Sequence, residues 1–125
     1  MEKKYLRLKD IDAYITAFNL SNYIWDVVME WDKFPRWTVG KQLVESADSI
    51  AANLAEGWGR FYKKEKIQFY RYSNGSREEC QNWIKKAIIR KLIQPAQASF
   101  IEQELAKLPK EINQLIQYTN MKLKY

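Results

Sequence analysis

Side chains able to do chemistry are few in this sequence, and their types narrow the possibilities quickly. Histidine is absent and Cys80 is the one cysteine. The commonest general base and the commonest metal ligand are thus missing together. Histidine-ligated zinc, Ser-His and Cys-His catalysis and haem ligation through histidine are excluded within one chain. A single cysteine forms no intrachain disulfide and fits a reducing compartment. Glu56 and Glu79 offer a carboxylate pair, but no nucleophile or metal-ligand set accompanies them. The residues therefore predict no catalytic site, no metal and no cofactor, and a protein that is not an enzyme.

Two other constellations stand out. Ser49, Asn53, Glu56 and Arg60 recur at three- and four-residue steps, which places them within an arc of about 60° on one helix. Taken alone, that stripe reads as a solvent face, with Glu56–Arg60 an i,i+4 ion pair stabilising by about 0.2–0.5 kcal/mol. The second constellation is basic. The chain carries a net charge of +6, yet residues 60–91 hold ten basic and three acidic side chains, so this segment carries +7 and the remainder −1. On a helix, Lys64, Arg71, Lys85, Lys86 and Arg90 project to one side, with Lys63 and Lys66 beside them. Cations gathered this way suit phosphate, because each neutralised phosphate releases counterions; their bland alternative is a solvated face. The aromatic run Trp58, Phe61, Tyr62, Phe69, Tyr70 and Tyr72 lies among these lysines. Phe61 and Phe69 fall on core faces, and Tyr62, Tyr70 and Tyr72 are left for an oligomer interface or, less favoured, for stacking on bases.

The elements that must position these residues are all helical. Four glycines and three prolines give too little punctuation for an all-β fold, and apolar residues at 46% suffice for one core. Periodicity predicts helices over about 12–31, 38–62, 64–90 and 95–121. The first buries Tyr14, Ala17, Phe18, Ser21, Ile24, Trp25 and Val28, is capped by Asp10 or Asp12, and ends at Phe34-Pro35. The second starts at Thr38 as its N-cap and buries Leu43, Ala47, Leu54, Trp58 and Phe61, flanked by Ile50 and Ala51. The third buries Phe69, Ser73, Ser76, Cys80, Trp83, Ile84 and Ala87; Gly75, in mid-helix, predicts close approach of another backbone. The fourth begins at Pro95 and buries Ile101, Leu105, Leu108, Ile112, Leu115 and Ile116, with a kink or break expected at Pro109. Residues 1–125 are thus expected to form one domain, an antiparallel up-and-down four-helix bundle. No apolar run is long enough to span a bilayer, and MEKKYLRLKD at the start has charges where a signal peptide needs an apolar stretch. A cytoplasmic location is the expectation.

Within this frame the words Ser49-Ile50-Ala51-Ala52-Asn53-Leu54-Ala55-Glu56-Gly57, Gly59-Arg60 and Gly75-Ser76 with Glu79 resemble the four-helix-bundle family of proteins encoded in intervening sequences of bacterial 23S ribosomal RNA genes. Phe34-Pro35 stands at the matching distance before Gln42. The motif covers about a third of the chain, and the helical layout agrees over nearly all of it. The sequence departs from the family pattern at Ser73, Asn74 and Arg77. The resemblance implies a homo-oligomer, a pentamer, and a kinship with the accessory variability determinant of diversity-generating retroelements, a basic pentamer that binds nucleic acid and works with a reverse transcriptase. It also recasts the polar stripe as a partly buried network joining Ser49, Asn53, Glu56 and Arg60 to Ser76 and Glu79, with Arg60–Glu79 as a pair between helices or between subunits.

The sequence therefore predicts a non-enzymatic, homo-oligomeric adaptor that contacts RNA or DNA through Lys63, Lys64, Lys66, Arg71, Lys85, Lys86 and Arg90. No base-reading motif is present, so contact should follow the backbone or its shape. The competing reading is a protein–protein assembly factor whose basic face only confers solubility.

Overall fold

The computed structural model describes residues 7–125, so residues 1–6 of the stretch read for a targeting signal lie outside it. Four long helices make the bundle: α1 (Asp12–Met29), α2 (Lys41–Gly59), α3 (Lys63–Ile89) and α4 (Pro95–Lys122). Each packs against two neighbours: α1 and α3 both contact α2 and α4, and lie diagonally across the core from one another. Among the described residues no helix is long and apolar enough to cross a membrane.

The core is built from one stripe per helix. Leu20 and Ile24 meet Leu43, Ile50 and Leu54, and Ile84, Ile101, Leu105 and Leu108 close the set, all of them fully buried. The expected stripe of α4 is buried throughout, and Pro109, on its exposed side, does not interrupt the 28-residue helix. Pro95 occupies the first turn, where its missing N–H costs nothing.

Helix α1 departs from expectation. Its core residues are Ala13, Ala17, Leu20, Ile24, Val27 and Val28, whereas Phe18 and Trp25 are about half exposed. Ile15, Phe18, Trp25 and Met29 form a second apolar stripe on the outer side of the helix. With apolar residues on both sides, periodicity alone cannot decide which stripe the bundle takes. Nor does Asp10 or Asp12 cap the helix. Ile11 holds the N-cap position without a side-chain bond, and Asp10 accepts from the Arg7 backbone N–H at 3.3 Å.

The link to α2 is helical as well. A short turn at Lys33–Pro35 runs into a π-helical turn at Arg36–Gly40 and directly on into α2. Thr38 is therefore inside a helical run and is not an N-cap; its hydroxyl donates to the Phe34 carbonyl at 2.8 Å. Helix α2 stops at Gly59, because Arg60 is extended (φ −74°, ψ 152°). Phe61 consequently falls in the turn, 76% exposed, and is not a core residue.

Gly57 fixes the approach of α2 to α3. A Cβ there would stand 2.7 Å from Cε1 of Tyr70 and 2.9 Å from the Lys66 backbone oxygen. The space a side chain would fill is occupied by the Tyr70 ring, which is fully buried. Tyr70 was expected outside, so this is a correction. Burial pushes its phenol up to about 12, with the Thr119 hydroxyl drawing it slightly the other way. Thr119 donates to the Leu115 carbonyl at 2.8 Å, and the phenol oxygen finishes without a well-formed hydrogen bond among the described residues. Gly75 corrects in the opposite direction. It is exposed, and a Cβ there would meet nothing within 4 Å. Helix α3 ends in a Schellman turn, with Leu92 N–H donating to the Ala87 carbonyl at 2.9 Å and Lys91 N–H to Ile88 at 3.0 Å. Lys91 stands where glycine is usual, at φ 59°.

Gly57→Ala should therefore cost about 1–3 kcal/mol, since the obstructing oxygen belongs to backbone and cannot swing aside. Gly75→Ala should stabilise by roughly 0.5–1 kcal/mol, as for any exposed mid-helix glycine. Urea denaturation followed by circular dichroism measures both, and a Gly57→Ala midpoint equal to that of the parent would refute the packing argument.

Candidate nucleic-acid interface

The predicted basic residues divide into those with structural employment and those without. Lys66 belongs to the first group. Its ammonium donates to the Trp58 carbonyl at 2.6 Å and reaches the Gly57 carbonyl at 3.5 Å. It thus satisfies the last carbonyls of α2 and meets the negative end of that helix. It also lies over the Trp58 ring, 5.4 Å from the centroid, and desolvation lowers its pKa from the usual lysine range. Lys66 was expected to face nucleic acid; it is a helix cap.

Arg77 is similarly committed. The guanidinium is almost wholly buried on α3, donating to Asn74 Oδ1 at 2.9 Å, Gln81 Oε1 at 3.1 Å and Glu78 Oε1 at 3.2 Å. Arg60 lies 3.2 Å from Glu56 and 3.6 Å from Glu65, with its guanidinium 4.6 Å over the Phe69 ring. Lys63 donates to the Asn120 carbonyl at 3.2 Å, and Lys86 lies 4.7 Å over the Trp83 ring. Lys64, Arg71, Lys85 and Arg90 are exposed and have no ion pair or hydrogen-bonded side chain among the described residues.

On α3 these free cations occupy one side, within an arc of roughly 140°. They do not form an unbroken row. Exposed Glu78 and Glu79 fall inside the same arc, between Arg71 and Lys85, which are separated by about 21 Å along the axis. The surface is two basic clusters with an acidic interval. The N-terminal cluster has the more shaped surroundings: a groove of about 430 Å³ between α3 and the end of α4, lined by Lys63, Lys64, Ile67, Gln68, Arg71 and Asn120.

The predicted polar network forms in part. Ser49 and Ser76 hydroxyls meet at 2.9 Å across the α2–α3 contact. Asn53 donates to the Ser49 carbonyl at 2.9 Å and to its hydroxyl at 3.0 Å. Glu56 and Arg60 pair one turn further on. Within one chain Glu79 does not join them: it is exposed, and Arg60 takes Glu56 and Glu65 instead. Two further serines are buried at the contact between α2 and α3, and one of them escaped the sequence reading. Ser73, on the predicted core face, donates to the Ile50 carbonyl at 2.8 Å, and Ser46, which the expected core stripe of α2 leaves out, is buried and donates to the Leu43 carbonyl at 3.1 Å. The bond of Ser73 reaches a neighbouring helix, a relation that no local pattern records. Cys80 is buried as expected, and burial raises its thiol to about 12, which leaves it inert.

Residues 9–114 match the model of the 23S rRNA-intervening sequence protein family. The fold is similar to that of a solved protein of unknown function from the S23 ribosomal protein family of Bacteroides thetaiotaomicron VPI-5482, with a TM-score of 0.71. That likeness spans 88% of this chain and 98% of the other at 22% identity, and so speaks for the fold alone. No curated protein matches the sequence.

The division of the lysines is open to a direct check. Lys66→Met should lower stability by about 1 kcal/mol by uncapping α2, whereas Lys64→Met should leave it within about 0.5 kcal/mol of the parent. Equal thermal midpoints for the two variants would contradict the assignment.

Proposed function

The chain belongs to the 23S rRNA-intervening sequence protein family, and on that footing we propose that it is a non-enzymatic, homo-oligomeric adaptor that holds RNA or DNA through the outer side of α3. The observation that carries this reading is the set of exposed, unpaired cations on one helix: Lys64 and Arg71 near one end, Lys85 and Arg90 near the other. None of the four forms an ion pair among the described residues, although Glu78 and Glu79 share their side of the helix. They would act by neutralising phosphates, with no base identified and no bond made or broken. A cytoplasmic adaptor of this kind would serve ribosomal RNA biology or accompany a reverse transcriptase.

Self-association is supported by the outer stripe of α1. Ile15, Phe18, Trp25 and Met29 continue into Phe34 and Trp37, with exposures of 41–78%. At 150–250 Å² for a whole aromatic side chain, these six present on the order of 600–800 Å², close to one partner's share of a standard interface. Trp25, Met29 and Trp37 also edge an apolar cleft of about 430 Å³. Residues 10–32 contain five acidic and no basic residues, whereas Arg36 and Lys41 line the cleft at the other end of the stripe; a surface with both charges beside an apolar stripe suits another protein surface, here a second copy.

Filter binding at two salt concentrations tests the first part. Neutralising about four phosphates, one for each of those cations on α3, predicts a loss of roughly 10²-fold in affinity between about 50 and 200 mM salt. Charge reversal at Lys64, Arg71, Lys85 and Arg90 together should abolish binding. Absence of binding, or affinity indifferent to salt, ends the reading in favour of a pure protein–protein assembly factor. Sedimentation tests the second part: a pentamer of the 15.0 kDa chain would run near 75 kDa, roughly fivefold above the monomer. A monomer at micromolar concentration removes self-association, and Trp25→Lys should drive the assembly toward that state.

A further inference from the structure

The corner between α2 and α3 carries exposed aromatic rings that neither the core nor the proposed phosphate contacts use. Phe61 is 76%, Tyr62 56% and Tyr72 49% exposed. Single exposed rings are ordinary on a protein surface, but several exposed together at one corner mark a contact site. Here the partner must suit a strongly basic setting, because Lys64 and Arg71 line the adjoining groove. A second copy of the same corner would bring like charges together, whereas a strand of phosphates and bases supplies both opposite charge and flat apolar faces.

We propose that this corner binds unpaired nucleotides, stacking bases on Phe61, Tyr62 and Tyr72 while Lys64 and Arg71 take the phosphates. The inference rests on the nucleic-acid reading above and narrows it to single strands. Three details support it. Phe61 and Tyr62 meet edge to face, with centroids 5.0 Å apart and planes at 85°, so the pair cannot hide both ring faces from a ligand. Tyr72 is held ready: its ring packs edge-on against Phe69 at 5.4 Å, and its hydroxyl accepts from Gln68 at 2.7 Å. Gln68 itself lines the basic groove, which links that ring to the cations. Tyr62 and Tyr72 stand ten positions apart on the run into α3, about 15 Å, or roughly four stacked nucleotide steps. Duplex bases already have both faces covered by neighbours, so only unpaired ones can use such platforms, and every base has a π-face to offer.

The test uses the full chain and three labelled oligonucleotides of equal length: unpaired RNA, unpaired DNA and a duplex, each followed by fluorescence anisotropy. At least one single strand should bind about tenfold or more tightly than the duplex. Phe61→Ala, Tyr62→Ala and Tyr72→Ala should each weaken single-strand binding by about 5- to 100-fold and leave duplex affinity within about twofold. Tyr62→Phe and Tyr72→Phe should retain it, since stacking needs the ring and not the hydroxyl. All three positions face water, so circular dichroism should show folded variants. Duplex and single strand bound equally well, with alanine variants indifferent, would overturn the inference while leaving salt-dependent phosphate binding in place. Loss of binding to all three probes by the parent protein would overturn both. Alanine variants that sediment as monomers would reassign these rings to a subunit contact and overturn the stacking role.

Discussion

The contact between Gly57 and Tyr70 governs the geometry of the α2–α3 half of the bundle. A large ring can lie fully buried against a helix backbone only where the facing residue has no side chain, and Gly57 is that residue. The consequence is a tight antiparallel pair in which the last carbonyls of α2 come within reach of the first turn of α3. Lys66 bonds them from one turn into α3. The same closeness allows Ser73 to reach the Ile50 carbonyl and Ser49 to reach Ser76, so small hydroxyls populate an interface that larger side chains would pry apart. A family motif rich in Ala, Ser and Gly on α2 thus has a mechanical sense: it is a surface made thin enough for a neighbour to approach.

That tight pair also decides which charges are available. Of the ten basic residues between 60 and 91, Lys66 caps a helix, Arg77 is buried in a local amide and carboxylate cluster, and Arg60 ties the corner to Glu56 and Glu65. The segment's excess of +7 therefore overstates what a ligand would meet, and Glu78 and Glu79 divide what remains. A protein reading phosphates through this helix would hold them at two ends and not along an even track.

How much of this the sequence disclosed depends on whether a residue's fate was local. The α4 stripe was fully legible because its apolar and polar sides are cleanly separated, and Cys80, Ile84 and Ala87 on α3 followed for the same reason. Helix α1 was only half legible, since Ile15, Phe18, Trp25 and Met29 mimic a core stripe on the outer side. Tyr70 was misplaced because its slot is defined by an absent side chain thirteen residues earlier. Phe61 was misplaced because α2 ends three residues sooner than its pattern suggests, at a glycine followed by extended backbone. In the candidate site, lysine identity announced charge but not occupation: nothing in the sequence around Lys66 distinguishes a helix cap from a phosphate contact such as Lys64 might make.

The placement of the two unusual surfaces bears on how the proposed activities would coexist. The outer apolar stripe belongs to α1 and the free cations to α3, and these helices sit diagonally across the bundle. Copies joined through α1 would leave every α3 facing away from the joint, so association would not consume the basic surface but repeat it. Repetition matters more for a divided surface than for a continuous one. Two small cation clusters on one chain hold a polyanion weakly, while several copies would engage one strand together, each added contact raising the effective concentration of the next. The five acidic residues of 10–32 would fit the same scheme, since a strand held by Lys64, Arg71, Lys85 and Arg90 would find on α1 no further cation to draw it round the bundle.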